Sequence, residues 1–128
     1  MRKLLIGLSV FVVLFFSGCT SNVPMAPVQE DHIAKTFKKD KEYANVYLCR
    51  NMFFGSAISE AIYVDDKFVG HTSGYSFFHW KMLPGKHTFQ TKTGNAASLT
   101  LNIKSNTNYF IIQEPIMGGD KLYTVDEK

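Results

Sequence analysis

The chain opens with an apolar run, passes through a mixed polar stretch, and then settles into alternation with a period of two. Leu4–Phe16 is almost wholly apolar, and Arg2 and Lys3 precede it. From Thr20 to Glu42 no apolar row persists, and Pro24 and Pro27 among small and polar neighbours mark a linker. Within it, Asp31–Lys41 predicts a short helix, with Asp31 as cap and Ile33 and Phe37 one turn apart on one face. After Tyr43 the alternation predicts strands at Asn45–Arg50, Ala61–Val64, Lys67–Gly70, Tyr75–Trp80, His87–Lys92, Leu99–Ile103, Tyr109–Gln113 and Leu122–Val125. Leu99, Leu101 and Ile103 against Thr100, Asn102 and Lys104 form the plainest half-buried row. Asp65-Asp66, Leu83-Pro84-Gly85-Lys86, Gly94-Asn95 and Gly118-Gly119 read as the turns between strands. Short strands at this spacing without a long helix predict an all-β fold, a small antiparallel β-sandwich of about seven strands over residues 43–128.

The first 19 residues have the layout of a secretory signal: two cations, a short apolar core, then the small residues Ser17 and Gly18 before Cys19. About 13 apolar residues at ~1.5 Å each reach roughly 20 Å, short of a ~30 Å hydrocarbon core, so a permanent span fits poorly. Phe16-Ser17-Gly18-Cys19 resembles the lipobox of bacterial lipoproteins. That resemblance implies cleavage between Gly18 and Cys19, removal of residues 1–18 and lipidation of Cys19, with residues 19–42 as tether. An ordinary cleaved signal and an uncleaved anchor are the alternatives. Thr20 stands where an Asp would imply retention at the inner membrane, so the resemblance implies an outer-membrane anchor with the domain facing the periplasm. The lipid would supply the membrane contact.

Composition narrows the partners. The 128 residues carry 14 Lys+Arg and 11 Asp+Glu, and without Arg2 and Lys3 the excess of cations falls to one. A nearly neutral body has no basic footprint for nucleic acid. The four lysines of the linker are balanced by Glu30, Asp31, Asp40 and Glu42, which reads as a solvated face. Two cysteines cannot build a disulfide scaffold.

Three segments resemble the bacterial lipoproteins grouped as domain of unknown function 2846: Ala44–Arg50, Ile62–Gly70 and Leu83–Phe89. The resemblance implies a PEGA-like sandwich in which a Pro-Gly turn links two core strands. It implies no activity, cofactor or catalytic residue. Asp66 stands where the family usually has Gly, which predicts a different or slightly strained turn.

Little in the sequence points to catalysis. His32, His71, His79 and His87 lack the spacing of a metal site, and no nucleophile motif is present. His87 reads as a hydrogen-bonded core histidine and Cys49 as a buried thiol within a strand. No catalytic residue, metal ligand or cofactor is expected.

The aromatic strand is the one candidate surface. Tyr75, Phe77 and His79 point one way; Ser76, Phe78 and Trp80 point the other. A strand buried on one face should not be aromatic on both, so one set lies under a cover or forms a binding surface that Phe53 and Phe54 could extend. The expected function is a lipid-anchored, non-catalytic envelope protein that presents its sandwich to an envelope protein or to peptidoglycan. The alternative is a small-molecule or glycan-binding lipoprotein.

Overall fold

A computed structural model describes residues 27–50, 58–92 and 94–126. Gly18, Cys19, Phe53 and Phe54 lie outside them. Among the described residues eight strands form: β1 (Ala44–Arg50), β2 (Glu60–Val64), β3 (Lys67–Thr72), β4 (Ser76–Met82), β5 (Gly85–Thr91), β6 (Ser98–Ile103), β7 (Asn108–Ile116) and β8 (Gly119–Val125). They pack as two four-stranded sheets, A in the order β4-β1-β7-β8 and B in the order β3-β2-β5-β6. The all-β sandwich is thus the observed fold. One detail differs from a purely antiparallel design, because β1 and β7 run parallel, with Val46 beside Tyr109 and Leu48 beside Ile111. Alternation reveals which face a residue occupies but not the direction of its neighbour, so the sequence carried no sign of that pair.

Register puts one row of each strand between the sheets. Val46, Leu48 and Ala44 of β1, Ile62 and Val64 of β2, Phe89 of β5, Ile103 of β6, Ile111 of β7 and Leu122 of β8 form the core. Phe78, Trp80 and Met82 of β4 pack against it. The Asp65-Asp66 turn has both residues left-handed, at φ 50° and 64°, the geometry of a two-residue type I′ hairpin. Asp66 therefore occupies the glycine conformation itself, at a cost on the order of 1 kcal/mol.

The helix lies earlier than the pattern predicts. α1 spans Val28–Ala34, with Pro27 at its N-cap and Asp31 inside the first turn. There the Asp31 carboxylate meets the positive end of the helix and the Lys35 ammonium at 2.6 Å. Phe37 falls beyond the helix with φ 52°, so Ile33 and Phe37 share no helical face. Instead the segment from Ala34 to Tyr43 is bound to sheet A, and the ordered body begins before residue 43. Tyr47 donates its hydroxyl to the Ala34 carbonyl (3.1 Å), Asn108 donates its amide to the Phe37 carbonyl (2.8 Å), and Asn45 donates to that of Lys38 (2.9 Å). This strap explains why β1 is buried on both faces although its sequence alternates.

Candidate functional site

The parity predicted for the aromatic strand is the one observed, and it disperses the candidate surface. Phe78 and Trp80 pair with Leu48 and Val46 and turn inward, where their rings stack at 5.2 Å and Trp80 meets Phe89 at 5.9 Å. Trp80 is thus a core-facing residue, a correction to its place on a binding surface. Phe77 and His79 turn outward but lie beside the strap. Phe77 is half-buried with Lys35 Nζ 5.6 Å from its ring centre, and His79 stacks on Tyr47 at 4.6 Å. Tyr47 also stacks on Phe110 at 5.2 Å, and Phe37 closes on both rings. Tyr75 alone of the described candidates is well exposed, at 68%. The cover reading therefore accounts for Phe77.

His79 Nε2 lies 3.0 Å from Asn45 Oδ1, and an amide oxygen only accepts, so that nitrogen carries the proton. Burial, aided by the nearby Lys81 ammonium, pushes His79 below its ordinary value and keeps it neutral under the strap. Cys49, on the same outer face, is a free thiol pushed up by burial. A thiol held protonated is a poor nucleophile.

A second cluster, between the sheets, was not legible in the sequence. Arg50, Glu60, Thr72, Gln113 and Asp120 are all buried, and they come from β1, β2, β3, β7 and β8. The Arg50 guanidinium donates to the carbonyls of Ile58 (2.8 Å) and Thr72 (3.2 Å). Thr72 donates its hydroxyl to Gln113 Oε1 (2.6 Å), and Gln113 donates to Asp120 Oδ2 (3.4 Å). Glu60 Oε2 and Asp120 Oδ1 make no hydrogen bond among the described residues. Burial first, and then repulsion from Glu60, raises Asp120 above its ordinary value, against the pull of Gln113 and Arg50. Two carboxylates buried beside one guanidinium are more charge than a low-dielectric interior favours, which is the physical source of that shift. The cluster contains no nucleophile.

His87 is hydrogen-bonded, as expected, yet on the rim of the sandwich rather than in its core. Its Nδ1 lies 2.6 Å from Asp65 Oδ2 and its Nε2 lies 2.8 Å from the Leu83 carbonyl. Two acceptors need two donors, so the geometry is that of the imidazolium. Asp65 Oδ1 also accepts the Thr88 backbone N–H at 2.9 Å. The carboxylate thus ties the β2–β3 turn to β5.

No three His, Cys, Asp or Glu side chains among the described residues are arranged to hold a metal ion. A further exposed aromatic lies on the outer face of sheet B. Phe68 is 54% exposed; its ring edge meets Tyr63 at 5.8 Å and His71 at 5.0 Å, and Lys92 Nζ sits 4.0 Å over Tyr63.

The family described as a protein of unknown function, DUF2846, matches residues 40–126, which hold all eight strands. The chain belongs to the DUF2846 family. An uncharacterized protein of Haemophilus influenzae strain Rd is 35% identical to this DUF2846 chain over 123 residues, covering 91% of it and 73% of the relative. The match from residue 40 takes in the Asp40 carboxylate, which accepts from the backbone N–H groups of Glu42 and Tyr43 and pairs with Lys81 at 3.2 Å. The end of the strap is therefore part of the DUF2846 unit.

Proposed function

We propose that this DUF2846 protein is a lipid-anchored, non-catalytic cell-envelope lipoprotein. Its sandwich stands in the periplasm and serves protein or cell-wall interaction. The observation that carries the reading is Phe16-Ser17-Gly18-Cys19 placed directly after a short apolar run that begins behind Arg2 and Lys3. Cleavage before Cys19 and acylation of its thiol would leave two or three chains, and each buried methylene contributes about 0.8 kcal/mol to anchoring. The absence of Asp after Cys19 supports the outer membrane as its destination. From position 19 to the first strap contact at Ala34 the chain can extend at most about 50 Å, which keeps the sandwich close to its anchor.

Palmitate labelling of the wild type and of Cys19→Ala tests the reading. Label in the wild type alone, with the protein in the outer-membrane fraction, is the expected result. Equal labelling of the two, or a native protein that keeps Met1, would overturn it.

A second reading, glycan binding, is favoured by one observation: the exposed Phe68 beside Tyr63, His71 and Lys92. It moves the aromatic contact from β4 to the β2–β3 hairpin. Sedimentation with peptidoglycan that is lost in Phe68→Ala would support it, and sedimentation unchanged in that variant would sink it.

A further inference from the structure

Among the described residues the sandwich has four edge strands, β4 and β8 in sheet A and β3 and β6 in sheet B. An edge strand exposes backbone N–H and C=O groups that another chain can pair with, and proteins blunt it with charge, bulges or inward-pointing charged residues. Three of these edges are blunted. β3 begins with Lys67 and is irregular against β2 between Ile62 and Tyr63. β4 carries Lys81, which reaches across to Asp40 of the strap. β8 carries Lys121 on its outer side and buries Asp120 on its inner side.

β6 has none of these devices. Ser98–Ile103 reads SLTLNI, without charge, proline or glycine, and its register with β5 runs unbroken from Ser98 beside Gln90 to Ile103 beside Gly85. Among the described residues its backbone makes no hydrogen bond outside that ladder. Leu99 and Leu101 face the core yet remain only half-buried, so the inner row of this edge is incompletely covered.

We propose that β6 is a docking edge for a second copy of this chain, pairing antiparallel about a two-fold axis at Leu101. Sheet B would then run unbroken through both copies. In that register Leu101 meets its own counterpart, Leu99 meets Ile103 and Thr100 meets Asn102, while the Lys104 N–H just beyond the strand is already given to the Tyr109 hydroxyl (2.9 Å). Apolar residues oppose apolar ones on the core side, polar oppose polar outside, and no like charges face each other. A slip of one residue would set each leucine row against the partner's polar row, so the pattern excludes odd shifts of the pairing. The same surface serves both copies, as a two-fold interface requires. The inference goes beyond the proposed anchor and stands whether or not Cys19 is acylated.

Sedimentation equilibrium of the full-length protein in density-matched detergent tests it. The wild type is expected at twice the monomer mass. Thr100→Glu combined with Asn102→Glu changes two exposed side chains; the first gives up the exposed hydroxyl bond to Thr88 (2.9 Å), and the second lies beside Lys86 in its own sheet. Across the axis the introduced carboxylates oppose one another, and this variant is expected as monomer. Mixed with Thr100→Lys combined with Asn102→Lys, it should recover the doubled mass. If the strand spectrum in circular dichroism is lost, the single Asn102→Pro change replaces the pair, because the Asn102 N–H faces away from β5 and its loss removes a bond to the second copy alone. A monomeric wild type, unchanged association of the acidic variant, failure of the two variants to pair, or capture by β6 of an unrelated strand without self-association would overturn the proposal.

Discussion

The hydrogen bonds of His87 give a pH dependence that can be worked through from the structure. Burial alone would lower His87, but the bond to Asp65, the Leu83 carbonyl and attraction to the carboxylate outweigh it and raise it above the ordinary 6.5. Burial likewise opposes the charge on Asp65, yet the bonds from His87 and Thr88 hold it below the ordinary 3.8. A raised histidine contributes stability that is complete below pH 6.5 and fades as the pH climbs through its folded value. A depressed carboxylate contributes above 3.8 and fades as the pH falls through its folded value. The pair is therefore worth most between those ordinary values. Asp65→Asn is the informative change, because Asn tolerates the left-handed backbone and can still accept the Thr88 N–H. Charge-assisted bonds contribute about 1.5–3 kcal/mol when sheltered and exposed ion pairs about 0.2–1. Asp65 is 46% exposed, which places the loss near about 1 kcal/mol, or about 4–8 °C in melting temperature for a domain of this size. Thermal melts at about pH 5.5 and about pH 8.5, with an NMR titration of the His87 ring, provide the assay. Equal losses at both pH values, or a wild-type ring that titrates at or below 6.5, would refute the reasoning.

Two more outcomes follow from buried groups. Asp120→Asn removes a carboxylate that burial and Glu60 disfavour, so it should raise stability by about 1 kcal/mol at neutral pH and by nothing below the ordinary 3.8, read from urea midpoints. Tyr47→Phe deletes the bond to the Ala34 carbonyl and should cost about 1 kcal/mol, with faster proteolysis between Ala34 and Tyr43 and unchanged cleavage within the strands.

The sequence showed the strands because each buried row alternates with a polar one, and Leu99, Leu101 and Ile103 made that plainest. The split of β4 into Phe77 and His79 against Phe78 and Trp80 was readable for the same reason. What covers each face was not readable. β1 alternates like a half-exposed strand, and only the strap, whose carbonyls bind Tyr47, Asn45 and Asn108, makes both sides interior. The helix began early because Pro27 starts it and Phe37 adopts a left-handed backbone. Arg50, Glu60, Gln113 and Asp120 read as surface residues by type; their burial depends on partners up to 70 positions away, from 50 to 120. The only local sign was that β1 ends on Arg50 just after its inward Leu48.

The parallel partnership of β1 and β7 bears on when this chain can fold. Val46 must find Tyr109, 63 positions later, before the central pair of sheet A exists. Closing so long a loop precedes any reward from the contact, which slows assembly of such topologies. If the chain is exported as proposed, threading from its N-terminus would bring β1 out while it still waits for its inner neighbour. The chain would stay loose enough to pass, and sheet A would set only once nearly the last strand had crossed.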